Sequence, residues 1–184
     1  MNKSILYILP VIFLLFIFSE DLCSQVIKND SLALVELFNK TDGKNWLRCD
    51  NWFKSNVSNW YGIYVVGNRV TGINLDNNNL SGKIPRQIGN LDALQYLILS
   101  DNNIIGEISI DLCHLPNLNC LTMDNNQLNG NIPFEITKLK NLKTLWLSDN
   151  NLTGTIPPGL NTMPHLVSVM LHNNNFTIQI SQKD

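Results

Sequence analysis

An α/β solenoid, wound in stacked turns with a parallel β-sheet along one face, is the fold class that this 184-residue chain predicts. Three observations carry it. The first is a frame of residues in LKTLWLSDNNLTGTIP: Leu142, Leu145, Leu147, Asn150, Leu152, Gly154, Ile156 and Pro157. It recurs as Val70, Ile73, Leu75, Asn78, Leu80, Gly82, Ile84, Pro85, and as Leu118, Leu121, Met123, Asn126, Leu128, Gly130, Ile132, Pro133. A further copy, Leu94, Leu97, Leu99, Asn102, Ile104, Gly106, Ile108, has Ser109 in place of proline, and the last, Leu166, Val169, Leu171, Asn174, Phe176, keeps the front half. Starts at 70, 94, 118, 142 and 166 give an unbroken period of 24 residues, and a period of that size marks a repeat architecture. The second observation is alternation: in Thr144-Leu145-Trp146-Leu147-Ser148 the leucines take every other place, as a half-buried strand requires. The third is that one such turn cannot bury its own apolar side, so the copies must stack.

Taken in order, the chain opens on Lys3 and an almost wholly apolar run, Ile5 to Phe18. The run is short for a membrane span, which needs about 20 residues, and Pro10 interrupts it, so it reads as a secretory signal over 1–24. An uncleaved anchor and a lipid anchor at Cys23 are the weaker readings, the latter because Leu22 is bulky. Residues 25–66 then form an N-terminal cap, and 67–184 the five repeats. Within the cap, SLALVELFNKTDGKNW predicts a short helix capped by Asp30 or Ser31, with Leu34, Val35 and Phe38 on one face and Gly43 at its end. Trp46, Trp52 and Trp60 fit the packing that closes the first turn better than a sugar platform, given the bulk each can bury. Ile63–Val66 and Arg69–Ile73 flank Gly67-Asn68, a two-residue hairpin signal leading into the first repeat strand.

In each repeat the asparagine turns inward, where its amide satisfies backbone groups; Asn78, Asn102, Asn126, Asn150 and Asn174 therefore form a structural ladder. Gly154 supplies conformational freedom and Pro157 an extended return path. Ile88, Leu112, Ile136 and Leu160 complete the back wall. The fifth copy departs from the frame: Ile178 stands for glycine and Ser181 for proline. Either the polar Gln179, Ser181, Gln182, Lys183 and Asp184 cover the open end, or another molecule does, and a monomer is expected over an end-to-end dimer.

This frame resembles that of leucine-rich repeat proteins, and its SGKIP and TGTIP halves resemble the plant-type subclass. The resemblance spans residues 30–184. It implies a right-handed superhelix with the parallel sheet on the concave face, and roles like those of leucine-rich repeat receptor ectodomains and polygalacturonase-inhibiting proteins. Family caps carry Cys-x-Trp-x-Gly-Val-x-Cys; here Trp60, Gly62 and Ile63 match, but Ser58 and Val65 replace the cysteines, leaving the cap dependent on packing.

The period lays the outward face out in rows. The central row is Asn74, Ile98, Thr122, Trp146, Met170; the row before it is Gly72, Tyr96, Cys120, Thr144, Ser168; the row after it is Asp76, Ser100, Asp124, Ser148, His172. Core packing does not demand Tyr96, Ile98, Trp146 or Met170 there, so they suggest a contact patch, although scattered apolar residues are normal on any surface. The candidate ligand-binding set is Tyr96, Ile98, Thr122, Asp124, Trp146, Ser148, Met170 and His172. Asp124, Ser148 and His172 fall on successive strands, but an open sheet offers neither an oxyanion site nor exclusion of water, so they read as a solvated polar row and no enzyme is expected.

His114 and His165 belong to the backs of repeats, and no metal-ligand spacing or phosphate loop is present, so neither metal nor cofactor is expected. A formal charge of −2 argues against nucleic acid. Cys49, Cys113 and Cys120 read as small apolar residues rather than disulfide partners. Sequons at Asn29, Asn39, Asn56, Asn79, Asn151 and Asn175 would carry glycans in a eukaryote. The expected partner is an extracellular protein or peptide, with a membrane reached only through that partner or an uncleaved signal. The second reading is a surface or matrix component that binds polysaccharide, such as a cell-wall glycan, or ice through its repetitive flank, where Ser81, Thr153 and Thr177 align but Ile105 and Asn129 break the row.

Overall fold

The computed structural model describes residues 26–177; the signal at 1–24 and the chain after Thr177 lie outside them. Helix α1 spans Lys28–Lys40 and buries Asp30, Ala33, Leu34 and Leu37. Val35 and Phe38 pack partly buried against the same core. Neither Asp30 nor Ser31 is the cap: the N-cap is Ile27, without a side-chain bond. Asp30 instead lies wholly buried in the first turn, where its carboxylate accepts from the Val70 backbone N–H at 2.8 Å and from Arg69 Nε and Nη2 at 3.1 and 3.2 Å. Arg69 also reaches Asp92, so one guanidinium links the helix to two successive turns. The helix stops before Gly43 because Asp42 turns left-handed at φ 56°, just after the Thr41 N–H and hydroxyl make the last bonds back to the Leu37 carbonyl.

Beyond the helix the three tryptophans are buried, the Trp52 ring centroid lying 4.6 Å from Trp60 and 5.0 Å from Trp46. Their indole N–H groups donate to the carbonyls of Thr41, Tyr61 and Ser55. With faces packed and polar edges used internally, the cluster is a plug for the first turn. Strands β1 (Ile63–Val66) and β2 (Arg69–Asn74) then pair antiparallel around Gly67-Asn68. Gly62 enters this hairpin at φ +75°, and a Cβ there would run into the Asn74 carbonyl.

From β2 onward, one strand per turn adds in parallel: β4 (Tyr96–Ile98), β6 (Cys120–Thr122), β8 (Thr144–Trp146) and β10 (Ser168–Met170). The sheet runs β1-β2-β4-β6-β8-β10. Inward-facing Ile73, Leu97, Leu121 and Leu145 are fully buried and pair in register. A second parallel sheet, absent from the sequence expectation, runs β3 (Ser81–Gly82), β5 (Asn103–Glu107), β7 (Gln127–Asn131) and β9 (Asn151–Thr153). It forms because Leu80, Ile104, Leu128 and Leu152 are buried at successive copies of one frame position, with exposed residues on either side, all polar except Ile105. Short 3-10 turns, Arg86–Asn90, Ile110–His114, Phe134–Lys138 and Pro158–Thr162, bury Ile88, Leu112, Ile136 and Leu160 as the back wall.

The asparagine ladder joins these layers. Asn126 Nδ2 donates to the carbonyls of Leu99, Met123 and Asp124, and its Oδ1 accepts from the Ile104 N–H at 2.9 Å. Asn102 and Asn150 repeat the pattern one turn to either side. Asn174, half-buried, still bonds Leu147 and Leu152, whereas Asn78 at the start of the ladder pairs with both backbone groups of Arg48, ahead of β1.

Candidate functional site

Strand alternation turns every second side chain of the main sheet away from the core. The predicted rows are real: Asn74, Ile98, Thr122, Trp146 and Met170 are in-register partners across successive strands, as are Gly72, Tyr96, Cys120, Thr144 and Ser168. Tyr96 is 47% exposed and Met170 40%, with Ile98 and Trp146 half-buried. The Trp146 indole N–H donates to Ser168 Oγ at 2.8 Å, which fixes the ring toward the fifth strand of the row.

Two predicted contact residues are not open to solvent: Thr122 and Ser148 are each only 4% exposed. Thr122 sits between the larger Ile98 and Trp146, its in-register partners on the two adjacent strands, about 4.8 Å away on each side. Its Oγ1 is buried with no hydrogen-bond partner.

The row after the centre is also not the uniformly solvated line expected. Ser100 is buried and donates to Asp124 Oδ1 at 2.6 Å, and His172 Nε2 stands 3.7 Å from Asp149. Asp124 and His172 are thus each engaged by a residue outside the Asp124, Ser148 and His172 set. Partial burial, then the nearby carboxylates of Asp101 and Asp124, raise Asp76 above the usual carboxylate range.

Sequence reasoning missed the neighbouring row, Asn77, Asp101, Asn125, Asp149 and Asn173, all left-handed with φ between 47° and 54°. The signal was there: only Asn and Asp occur at these places, the two side chains that tolerate that conformation best. Asn125 Nδ2 donates to Asp101 and Asn173 Nδ2 to Asp149. Among the described residues, no ion pair reaches Asp76, Asp101 or Asp124.

The other candidates fall elsewhere. On the flank, Asn79, Asn103, Gln127, Asn151 and Asn175 form an exposed carboxamide row, in which Asn103 donates to Asn79 at 3.1 Å. Of the sequon asparagines, Asn29, Asn39, Asn79, Asn151 and Asn175 are exposed and Asn56 is half-buried. Cys49, Cys113 and Cys120 are free thiols; burial pushes Cys113 up to about 12 and raises Cys120. Among the described residues, no group of three His, Cys, Asp or Glu could hold a metal ion, and no helix is long and apolar enough to cross a membrane.

Family models for the Leucine Rich Repeat match residues 69–91, 93–115 and 117–139, and a model of two such repeats matches 140–182. No curated protein matches the chain. Among solved structures, the BIR2 ectodomain from Arabidopsis thaliana is 34% identical with a TM-score of 0.74, over 81% of this chain and 82% of that one. The BIR3–SERK2 complex from the same plant gives 30% identity and a TM-score of 0.65, over 89% and 86%. A plant ice-binding protein gives 29% identity and a TM-score of 0.76 over 83% of this chain, which spans half the length of that protein.

Proposed function

Because the chain belongs to the plant-type leucine-rich repeat family, we propose that it is an extracellular binding module that holds a protein or peptide on the open face of its main sheet. It performs no reaction of its own. The observation that supports this is the in-register display of Tyr96, Ile98, Trp146 and Met170 on a face the core does not use. A complex of a similar fold is consistent with it: one similar receptor kinase structure is a complex with a peptide hormone and a co-receptor. In this reading residues 1–24 are a leader, 25–66 a cap and 67–184 the repeats, the protein is secreted or held at the cell surface, and exposed sequons carry glycans.

A photo-cross-linker at position 146, used in an extracellular extract, should capture the partner. Trp146→Ala should weaken binding of the captured partner by about 2 kcal/mol, as loss of a central aromatic anchor does. Unchanged affinity would remove the open face as the site.

A second reading is supported by the likeness to the ice-binding protein and by the carboxamide row of the flank. In it the flank binds polysaccharide or ice. Retention on insoluble cell-wall glycan, or arrest of ice recrystallisation, lost on Asn103→Asp with Asn151→Asp but kept in Trp146→Ala, would favour it over the first.

A further inference from the structure

Beside the apolar centre of the open face runs a line of carboxylates without a Lys or Arg among them. Asp76 and Asp124 share one row, and Asp101 and Asp149 stand in the next, Asp149 beside His172 and the other three without an ion pair among the described residues. The two rows hold Asp, Asn, Ser and His but neither Lys nor Arg, although the whole chain has 13 basic against 15 acidic residues. The raised affinity of Asp76 for its proton comes partly from Asp101 and Asp124, so these three carboxylates feel one another.

A second observation is independent of the charge. Strands alternate, so Thr122, between inward Leu121 and Met123, turns its side chain to the open face. Its hydroxyl is the buried, unpartnered polar atom of that face, two residues from Asp124. An unpaired buried hydroxyl is costly, and a ligand group placed against it recovers the bond.

Resting on the reading of the open face as the binding site, we propose that its ligand is a cationic peptide segment in extended form. A Lys or Arg side chain lies on the carboxylates of Asp76, Asp101 and Asp124, an apolar side chain packs on Ile98 and Trp146, and a polar group of the peptide meets Thr122 Oγ1. The geometry suits this class. Alternate side chains of an extended peptide lie about 7 Å apart on one side, which matches the step from the apolar row to the carboxylate rows. A lone cation would satisfy the charge but leave the apolar row unused, and an anionic ligand would meet repulsion from Asp76, Asp101 and Asp124.

The test uses the mature chain and a bead library of random octapeptides, acetylated and amidated so that only side chains carry charge. Wild type is compared with the triple variant Asp76→Asn, Asp101→Asn, Asp124→Asn, which keeps every acceptor oxygen that Ser100 and Asn125 use. Lys or Arg at a fixed spacing from an apolar residue should be enriched by wild type. The resynthesised peptides should bind the triple variant about tenfold more weakly at low salt, with the difference shrinking as salt rises. Thr122→Val should also weaken them while leaving the salt dependence intact. Enrichment of apolar residues without Lys or Arg, lost on Trp146→Ala, overturns the cationic proposal and keeps the open-face reading. Enrichment that survives Trp146→Ala and the triple variant alike, or no enrichment at all, overturns both.

Discussion

Thr122 and Asn126 stand four residues apart, both buried, and they meet opposite fates. The Asn126 carboxamide is used on both ends by two turns of backbone, whereas the Thr122 hydroxyl has no partner. Removing a satisfied buried amide leaves several backbone groups orphaned, so Asn126→Ala should cost about 3 kcal/mol. Removing an unsatisfied hydroxyl leaves nothing orphaned, so Thr122→Val should gain about 1 kcal/mol. Urea midpoints of the two variants check both signs, and a destabilised Thr122→Val would mean that the hydroxyl is bonded in solution. Chemistry at the cysteines follows burial in the same way. Cys113 is buried and its thiol is pushed up to about 12, so it keeps its proton through the range in which the unfolded thiol, near 9, ionises. Iodoacetamide at pH 8 should therefore modify exposed Cys49 within minutes and Cys113 only on unfolding, with peptide mass spectrometry locating the label.

At the level of elements, α1 is held to the sheet by one buried acid. Asp30 is 0% exposed, and its compensation comes from Arg69, which also engages Asp92, and from the Val70 N–H. Breaking such a pair from the cationic side strands a buried carboxylate, so Arg69→Ala should cost about 3 kcal/mol. Adding Asp30→Asn should recover most of it, because the amide oxygen still accepts from Val70 but carries no charge; a double-mutant cycle of thermal or urea unfolding measures this. Nothing in the sequence announced the link. Asp30 has the residue type and place of a helix cap, and its partners lie 39 and 40 residues on, joined to it only through the fold. What the sequence did carry was whatever repeats: the strand rows, the asparagine ladder, the back wall and the hairpin each follow from local spacing. The second sheet escaped because its strands are marked by a single buried apolar side chain, such as Ile104 or Leu128, too little for a hydrophobic alternation signal. The covering of Thr122 and Ser148 escaped because row position says which way a side chain points, and only the size of its neighbours says whether water reaches it.

For the whole molecule, stacking makes stability a matter of neighbours, and the neighbours are unequal. Each interior turn is closed by the next: the N–H groups of Leu99, Met123 and Leu147 donate to the carbonyls of Thr122, Trp146 and Met170. At the β1 end the buried tryptophan cluster covers the first turn, while in the last described turn Val169 is 45% exposed where its counterparts Leu97, Leu121 and Leu145 show none. A solenoid whose units contact only adjacent units opens first where a unit has the least buried apolar surface. Losing the β10 turn frees the Leu147 N–H but leaves those of Leu99 and Met123 paired. Native-state hydrogen exchange should therefore rank the three, with Leu147 exchanging through a low-energy local opening and Leu99 and Met123 only near the global unfolding energy. Val169→Ala should lower the opening energy of Leu147 alone, whereas Leu121→Ala, a fully buried site, should lower the protection of Leu99 and Met123 by about 3 kcal/mol and leave that of Leu147 nearly unchanged. Equal protection at Leu147, Met123 and Leu99 would show instead that the last turn is sealed as tightly as the first and that the stack unfolds as one unit.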